Sequence, residues 1–516
     1  MIHQHPFIRI AMSYALGLWI GSIYCNGWIA VLLFCIALTI RAIQSLPRQR
    51  YNDHLTGLAL FIATMAMGIV GWTTYPNPYR QELPPNGCYH AILLEDPKEK
   101  AKTQQCIVQL THPNGNLYKT ILYIQKDSLS SLLRADDELY IKLFNCQAHT
   151  FSYYNKKHIY SSAYIASSHW QRKNTTQHHP FTSAARATQQ YLLNTLQQHT
   201  DSTGYALAAA MTLGHKAHLT GTTKQYFSAS GTSHLLAVSG LHVGILFMAI
   251  SFLFAPLGNN HRFKVFQQLL IIILLWLYAF LCGLPPSIVR AVTMFSVGAL
   301  GIISQQKSQG LNNLFFTAFV MLLYNPNYLF DMGFQLSFSA VIGILLYVEG
   351  RRSKVASQCK VSAASKKTNR LLIWIKDMCG ASIAAQIGTF PLILYYFGTF
   401  PTYFLLSNLL LIPLGTLLVY GCLLLFILSP FSFSHWLDYP IYAVSHAMQY
   451  ITKYISLLPF AQCSGLTIDC VQVGCLYLLL FCIYRLYKHP MPKSLYPVLL
   501  CIIVWLCGEV FRCLVV

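Results

Sequence analysis

The chain has 516 residues, of which 54% are hydrophobic and only 10% charged. So low a charge content excludes an ordinary soluble domain, in which about a quarter of residues are charged; apolar runs of about 20 residues recur, the length a helix needs to cross a bilayer. Part of the formal charge of +20 belongs to loops held on the cytoplasmic side by Lys and Arg, and the remainder suits a polyanionic partner or an anionic lipid surface.

The predicted elements begin with two apolar segments, residues 8–25 and 27–40, split by Asn26 and Gly27. They read as a tight membrane hairpin whose first arm lacks the small-residue cleavage site of a signal peptide. Arg41, Arg48 and Arg50 place the next loop inside. A third span covers about 55–72, and the chain emerges outside at Pro76, Asn77 and Pro78.

Residues 79–168 change character. Short alternating segments, such as CIVQLT and YKTILYIQ, are separated by charges and turn signals such as HPNGN. Period-two alternation predicts a small antiparallel sheet, and an OB-like barrel removes most free edges. Tyr118, Tyr123 and Tyr140 either pack this sheet or offer stacking platforms for a single strand. Most of the 16 cysteines lie in apolar spans and act as small hydrophobes. In an oxidising compartment the β region permits one disulfide, with Cys106 and Cys146 the candidate pair and Cys88 left over.

Residues 170–200 predict a linker and an amphipathic helix, and 205–230 an interfacial or re-entrant segment, re-entry being tolerated only where protein or water shelters the backbone. The organising stretch follows, GTSHLLAVSGLHVG at 231–244, continuing apolar to Phe254. Read as one helix from Gly231, it aligns Ser233, Ala237, Gly240 and Gly244 as a small-residue strip for close helix approach, with His234 on its flank and His242 nearer the far side. Polar groups in a span face protein or water, so this helix either lines an internal path or forms a tight junction with satisfied histidines.

Spans follow at about 266–283, 289–304, 311–327, 330–348, 378–398, 403–428 and 466–484, with a last one at 495–514. The loop 350–370 carries Arg351, Arg352, Lys354, Lys360, Lys366, Lys367 and Arg370 and marks the inside. Counting back from it and forward from the amino end both put 79–230 outside. Residues 434–458 mix Asp438, His446 and Lys453 with aromatics and either cross or lie along the interface; Arg485, Lys488 and Lys493 favour crossing.

Polar constellations punctuate these spans. In GLPPSIVRA at 283–291, Pro285 and Pro286 break the chain, Ser287 is placed to cap the next helix, and Arg290 either faces a path with its phosphate or carboxylate, or snorkels to headgroups. In NPNYLFDMGFQLSF at 325–338, Asn325 and Pro326 end one helix. Asp331 caps the next or pairs with Arg290, and Gln335 faces the bundle interior. Gln386, Gly388, Thr389 and Pro391 interrupt one crossing; Asn408, Pro413 and Gly415 interrupt the next, as in the broken helices of translocation paths. No cofactor, metal or nucleotide motif stands out, and Ser239 with His242 lacks a third catalytic group, so the chain reads as a non-enzyme.

In order and spacing, FSASGTSHLLAVSGLHVG at 227–244, GLPPSIVRA, NPNYLFDMGFQLSF and AAQIGTFP at 384–391 resemble the ComEC/Rec2 family of competence proteins, inner-membrane DNA-uptake channels. The resemblance implies a polytopic α-helical protein with about 11–12 transmembrane helices and a small extracytoplasmic OB-like β domain after the third. The expected parts are N-terminal helices (1–75), the β domain (76–170), an amphipathic linker (171–230), a competence-type membrane domain (231–486) and a C-terminal helix (487–516). It implies passage of single-stranded DNA across the cytoplasmic membrane, with Ser233, His234, Ser239, Gly240, His242, Gly244, Arg290, Asp331, Gln335, Gln386 and Asn408 as path or motif residues. Gly231, Pro285, Pro286, Pro326, Pro391 and Pro413 are expected to shape the backbone. Implied partners are single-stranded DNA, membrane lipids, an extracytoplasmic DNA receptor, a cytoplasmic ATP-driven DNA motor and a second copy of the chain. Many members end in a metallo-β-lactamase-like domain; none follows the last span here, which implies a separate nuclease. The rivals that remain are a transporter of a small or lipid-linked solute and an intramembrane hydrolase using Ser239.

Overall fold

The computed structural model describes residues 6–24, 27–44, 53–75, 83–84, 86–94, 97–100, 102–130, 133, 137–144, 146–148, 159–173, 180–254, 260–305, 309–359 and 370–488. Arg48, Arg50, Pro76, Asn77, Pro78, Lys360, Lys366, Lys367, Lys493 and the span expected at 495–514 lie outside these residues. Two compact units form, residues 1–191 with 318–330, and residues 192–317 with 331–516.

In the first unit, α1 (Pro6–Tyr24), α2 (Gly27–Gln44) and α3 (Asp53–Thr74) pack as apolar helices. Glycines set the α1–α3 approach: a Cβ on Gly68 would stand 2.3 Å from the Tyr14 carbonyl, so only hydrogen fits. Ser13 and Thr64 hydrogen-bond across this contact. Residues 318–330 complete the unit, with Phe319 edge-on to Tyr14 at 5.2 Å and Phe330 edge-on to Trp72 at 5.4 Å.

The β domain follows α3, with strands β1 (Gly87–Leu93), β2 (Lys98–Glu99), β3 (Thr103–Thr111), β4 (Leu117–Gln125), β5 (Glu138–Leu143), β6 (Cys146–Ala148), β7 (Ser161–Ile165) and β8 (Trp170–Arg172). The sheet order is β6-β7-β4-β3-β1-β5-β8, with β2 on β3. The β1–β3–β4 meander, the antiparallel β1–β5 pair and the parallel β4–β7 pair make the curled Greek-key arrangement of an OB domain. Strict alternation along β3 sends Cys106, Val108 and Leu110 into its core.

The expected Cys106–Cys146 disulfide does not form, and both thiols are free. Cys106 pairs with Leu122, Leu122 with Ala163, and Ala163 with Cys146. Three ladder steps of about 4.8 Å separate the two, whereas a disulfide needs Cα atoms within about 7 Å. Burial also pushes the Cys106 thiol up to about 12, which removes the reactive thiolate.

The helices that follow are α4 (Pro180–His199), α5 (Ser202–Leu213), α6 (Gly221–Ala229), α7 (Gly240–Phe254), α8 (His261–Leu281), α9 (Pro286–Ile303), α10 (Gly310–Tyr324), α11 (Met332–Cys359), α12 (Arg370–Phe397), α13 (Phe404–Leu428), α14 (Asp438–Ser456) and α15 (Cys470–Lys488). Among the described residues seven helices, α1, α3, α8, α9, α11, α12 and α13, are long and apolar enough to cross a membrane, and α2, α7, α10 and α15 are shorter apolar helices. This is a multi-pass helical membrane protein.

In the second unit α5 is buried on every side from Gly204 to Leu213. Asp201 caps its start, accepting from the Thr203 and Gly204 N–H groups, and Gly214 ends it in the left-handed region at φ 73°. The antiparallel pair α13–α14 forms a hairpin: Gly421 packs on Ile441 and Gly415 on Met448. Its open end is tied by strands β9 (Thr399–Pro401) and β10 (Gln462–Ser464), which pair antiparallel. Residues 438–456 therefore run back alongside α13.

Two expected breaks are absent. Pro391 lies within α12 and Pro413 within α13, and both helices run through. Near the first proline the Tyr477 hydroxyl donates to the Gly388 carbonyl at 2.9 Å, and near the second Thr416 Oγ1 donates to the Ile412 carbonyl of its own helix at 2.8 Å.

Candidate functional site

The motif stretch is not one helix. Gly231 takes φ 79°, and a Cβ there would meet Pro401 Cγ at 2.9 Å and Phe404 Cβ at 3.0 Å, so the turn requires glycine. Ser233–Leu236 is a short 3-10 turn, Ala237 is extended, and the helix proper starts at Gly240. The expected four-residue strip is therefore split. Gly240 and Gly244 still present the small face, 3.6 Å from Ala291 and 3.5 Å from Phe295 of α9 as built Cβ positions. Leu235 and Leu236 are buried, while Ser233 and His234 are exposed.

Ser239 and His242 form a reciprocal helix cap. Ser239 Oγ accepts from the Leu241 N–H at 3.3 Å, and His242 Nδ1 accepts from the Ser239 N–H at 3.1 Å. His242 thus fills the role of Glu or Gln in a capping box. It is 1% exposed, and an Nδ1 that accepts a backbone proton fixes the neutral tautomer with hydrogen on Nε2. The 3.1 Å contact between Ser239 Oγ and His242 Nδ1 belongs to this cap, which gives it a structural role without a nucleophile.

The second motif docks on the first. Gly283 and Leu284 both adopt positive φ, Pro285 is extended, and Pro286 opens α9. Ser287 does not cap α9 as expected: its Oγ donates to the Val238 carbonyl at 3.0 Å, which pins the GLPP turn to the motif loop. One turn later Arg290 is 3% exposed. Its guanidinium lies over the Phe338 ring at 5.4 Å and makes one long contact, 3.5 Å, to the Ser287 carbonyl. Its Nη1 is buried without a partner.

Asp331 caps α11, its Oδ1 accepting from the Phe334 N–H at 3.0 Å. It also lies within Coulombic reach of Arg290. Asn325 Oδ1 accepts from the Asn327 N–H at 3.0 Å and turns the chain with Pro326. Gln335 Oε1 accepts from the Tyr396 hydroxyl at 2.8 Å, tying α11 to α12. Gln386 Nε2 and Asn408 Oδ1 are buried and unpartnered, as are Gln268 Oε1 of α8 and Ser296 Oγ of α9. A buried polar atom without a partner costs about 1–3 kcal/mol; several of them in one membrane domain call for water or a polar ligand.

Sequence reasoning missed the face of α14. Ile441, Ser445, Met448, Thr452 and Ile455 are buried at alternating spacings of four and three. The opposite side carries Tyr439, Tyr442, Tyr450 and Tyr454, all exposed, with His446 between them, its ring 4.2 Å from Tyr442 and 6.3 Å from Tyr450. His446 Nε2 reaches Asp201 Oδ2 at 3.1 Å. The signal was present as tyrosines three, four and eight residues apart. Beside this helix lies a polar cavity of about 470 Å³ lined by Gln197, Thr200, Thr203, His218, Thr223 and Gln449 among others.

The β domain has its own groove of about 770 Å³, lined by Tyr89, His90, His112, Tyr140, Lys142 and Trp170 among others. Of the three tyrosines read as either packing or platform residues, Tyr140 is 52% exposed. Tyr118 belongs to the core and Tyr123 is half-buried beneath the Lys100 ammonium.

A family model described as Competence protein matches residues 211–490, a range holding all the motifs above. The chain is 31% identical over 245 residues to ComE operon protein 3 of Bacillus subtilis (strain 168), an alignment covering 46% of this chain and 29% of that protein. It is 32% identical over 145 residues to an uncharacterized protein of Aquifex aeolicus (strain VF5), covering 28% of this chain and 33% of that one. Each alignment thus spans about a third of the relative's length or less. No solved structure matches.

Proposed function

Since the chain belongs to the competence protein family, we propose that it conducts single-stranded DNA through the cytoplasmic membrane during DNA uptake. The observation that carries this reading is Arg290, a buried guanidinium with an unpartnered Nη1, beside the motif turn. A fixed cation whose donors are not all used within the protein is suited to a transient phosphate contact. Asp331 nearby keeps that contact weak, as conduction requires.

The remaining features fit one direction of travel. The β-domain groove, with Tyr140 exposed beside Lys142, supports a first encounter with the strand outside the membrane. Gln386, Asn408 and Gln335 supply polar groups at depth, and the tyrosine face of α14 offers rings on which bases stack at about 1–3 kcal/mol each. His234, exposed in the motif turn, is a second candidate contact. In this reading a receptor delivers DNA, a nuclease activity removes the other strand, and a cytoplasmic ATP-driven motor supplies work.

The test is import of labelled DNA into cells that depend on this chain. At matched membrane abundance, Arg290→Ala and His234→Ala should each lower import at least tenfold, with Arg290→Lys intermediate. Wild-type import by both alanine variants would refute the assignment of these residues, and DNA import unaffected by deletion of the gene would refute the function.

A further inference from the structure

Away from the motif, one side chain from the end of α4 meets two from a turn-to-helix junction far along the chain. His199 is the last residue of α4, His435 sits in the 3-10 turn Ser432–Leu437, and Asp438 opens α14. The Asp438 carboxylate is shared: Oδ1 lies 2.7 Å from His199 Nδ1, and Oδ2 lies 3.1 Å from His435 Nδ1. The two imidazole centroids are 4.9 Å apart, and one donor atom from each residue lies within 4.8 Å of the others.

A single His–Asp hydrogen bond would suffice to tie α4 to α14. The second imidazole adds nothing to that tie, since the His435 side chain is 74% exposed while that of His199 is 8% exposed. Yet its Nδ1 turns to the same carboxylate. We propose that this triad is a binding site for a divalent transition metal ion of the zinc class, which clasps the α4–α5 junction to the α13–α14 turn.

The donor set fits. Two imidazole nitrogens and one carboxylate are the ligands that borderline divalent ions accept, and three protein ligands leave a position for water. With metal–ligand bonds near 2.0–2.2 Å, donors around one tetrahedral ion stand about 3.3 Å apart. The His199–Asp438 pair must open by a few tenths of an ångström and the two histidines must draw together. The exposed His435 ring has the freedom to make that movement, while buried His199 and the helix-borne Asp438 hold the other two donors. Asp201 and His446, 3.1 Å apart, form a two-residue His–carboxylate pair on the same two segments and serve as a built-in comparison.

The experiment uses the purified full-length protein in detergent, stripped with a chelator and then titrated with Zn²⁺ or Co²⁺. Bound metal is counted by elemental analysis after dialysis, the Co²⁺ visible spectrum reports coordination, and the thermal midpoint reports the clasp. Wild-type protein should bind one ion at this site and melt higher with it. His435→Ala, which removes a largely exposed side chain, and Asp438→Asn should weaken binding at least tenfold and abolish the thermal gain; His446→Ala should leave both intact. Equal metal binding by wild type and His435→Ala, or no binding by wild type, overturns the proposal. The outcome does not depend on whether the chain conducts DNA.

Discussion

Replacement of Gly343 by alanine tests a close backbone-to-backbone helix crossing in the second unit. A Cβ built on Gly343 of α11 stands 2.2 Å from the Ala384 carbonyl oxygen of α12, and one on Gly388 stands 2.4 Å from the Ser339 carbonyl oxygen. Ordinary C···O contacts lie near 3.3 Å, so a single methyl must part the two backbones by roughly 1 Å. Neither atom can swing aside, because both belong to helix backbone. Overpacking of this kind costs about 1–3 kcal/mol, and parting the helices also strains the 2.8 Å Tyr396–Gln335 bond. Gly350→Ala is the matched control, since nothing lies within 4 Å of a Cβ there. The assay is thermal unfolding in detergent, followed by loss of the monodisperse peak on size-exclusion chromatography. Gly343→Ala should melt several degrees below Gly350→Ala. The Gly343→Ala, Gly388→Ala double variant should lose less than the sum, because one separation relieves both clashes. Equal midpoints for Gly343→Ala and Gly350→Ala would refute the crossing as described.

Ser239→Ala should cost about 0.5–2 kcal/mol through loss of the cap and leave DNA import measurable; complete loss of import at normal abundance would point to chemistry at Ser239. His242→Gln keeps the acceptor arm of the cap and should melt above His242→Ala in the same assay. Gly231→Ala faces both positive φ and the Pro401 contact and should destabilise by about 1–3 kcal/mol, read as reduced membrane abundance. In the β domain, the Lys173 ammonium and then His90 hold Glu138 below the ordinary carboxylate range. A lowered folded value stabilises above the unfolded pKa of about 4.3 and loses that contribution as pH falls through the folded value. Hydrogen exchange at β5 should therefore separate wild type from Glu138→Gln near pH 6, and the difference should vanish at more acidic pH.

What the sequence revealed depended on how local the signal was. The alternation Cys106–Val108–Leu110 announced β3, and the spacing of such runs announced the OB domain, because side-chain period and sheet face are locally coupled. The motif around His242 was legible as a special place, yet its helix start was misread. Apolar periodicity runs on through Leu235 and Leu236, and the backbone turn is set by Gly231 packing on Pro401, a contact 170 positions distant. The Ser239–His242 cap was visible in principle as a polar residue three after a serine, had histidine been admitted to that role. Pro391 and Pro413 looked like breaks because proline removes an intrahelical bond, a local cost that says nothing of the packing in which both helices run through. Of the cluster His199, His435 and Asp438, the last two stand three residues apart and are legible as a local pair, whereas His199 joins them from 239 positions away through tertiary packing.

The segment 318–330 has a consequence for how the protein is made. Tyr14 and Trp72 meet their aromatic partners Phe319 and Phe330 only after roughly 260–300 further residues have been synthesised, an interval of about 13–60 s at ordinary elongation rates. Until then the amino-terminal bundle sits in the bilayer with that seam open to lipid or to a membrane chaperone, and the late-arriving segment acts as its closing wedge. Assembly order is thereby written into the fold: the first helices inserted are among the last to be finished.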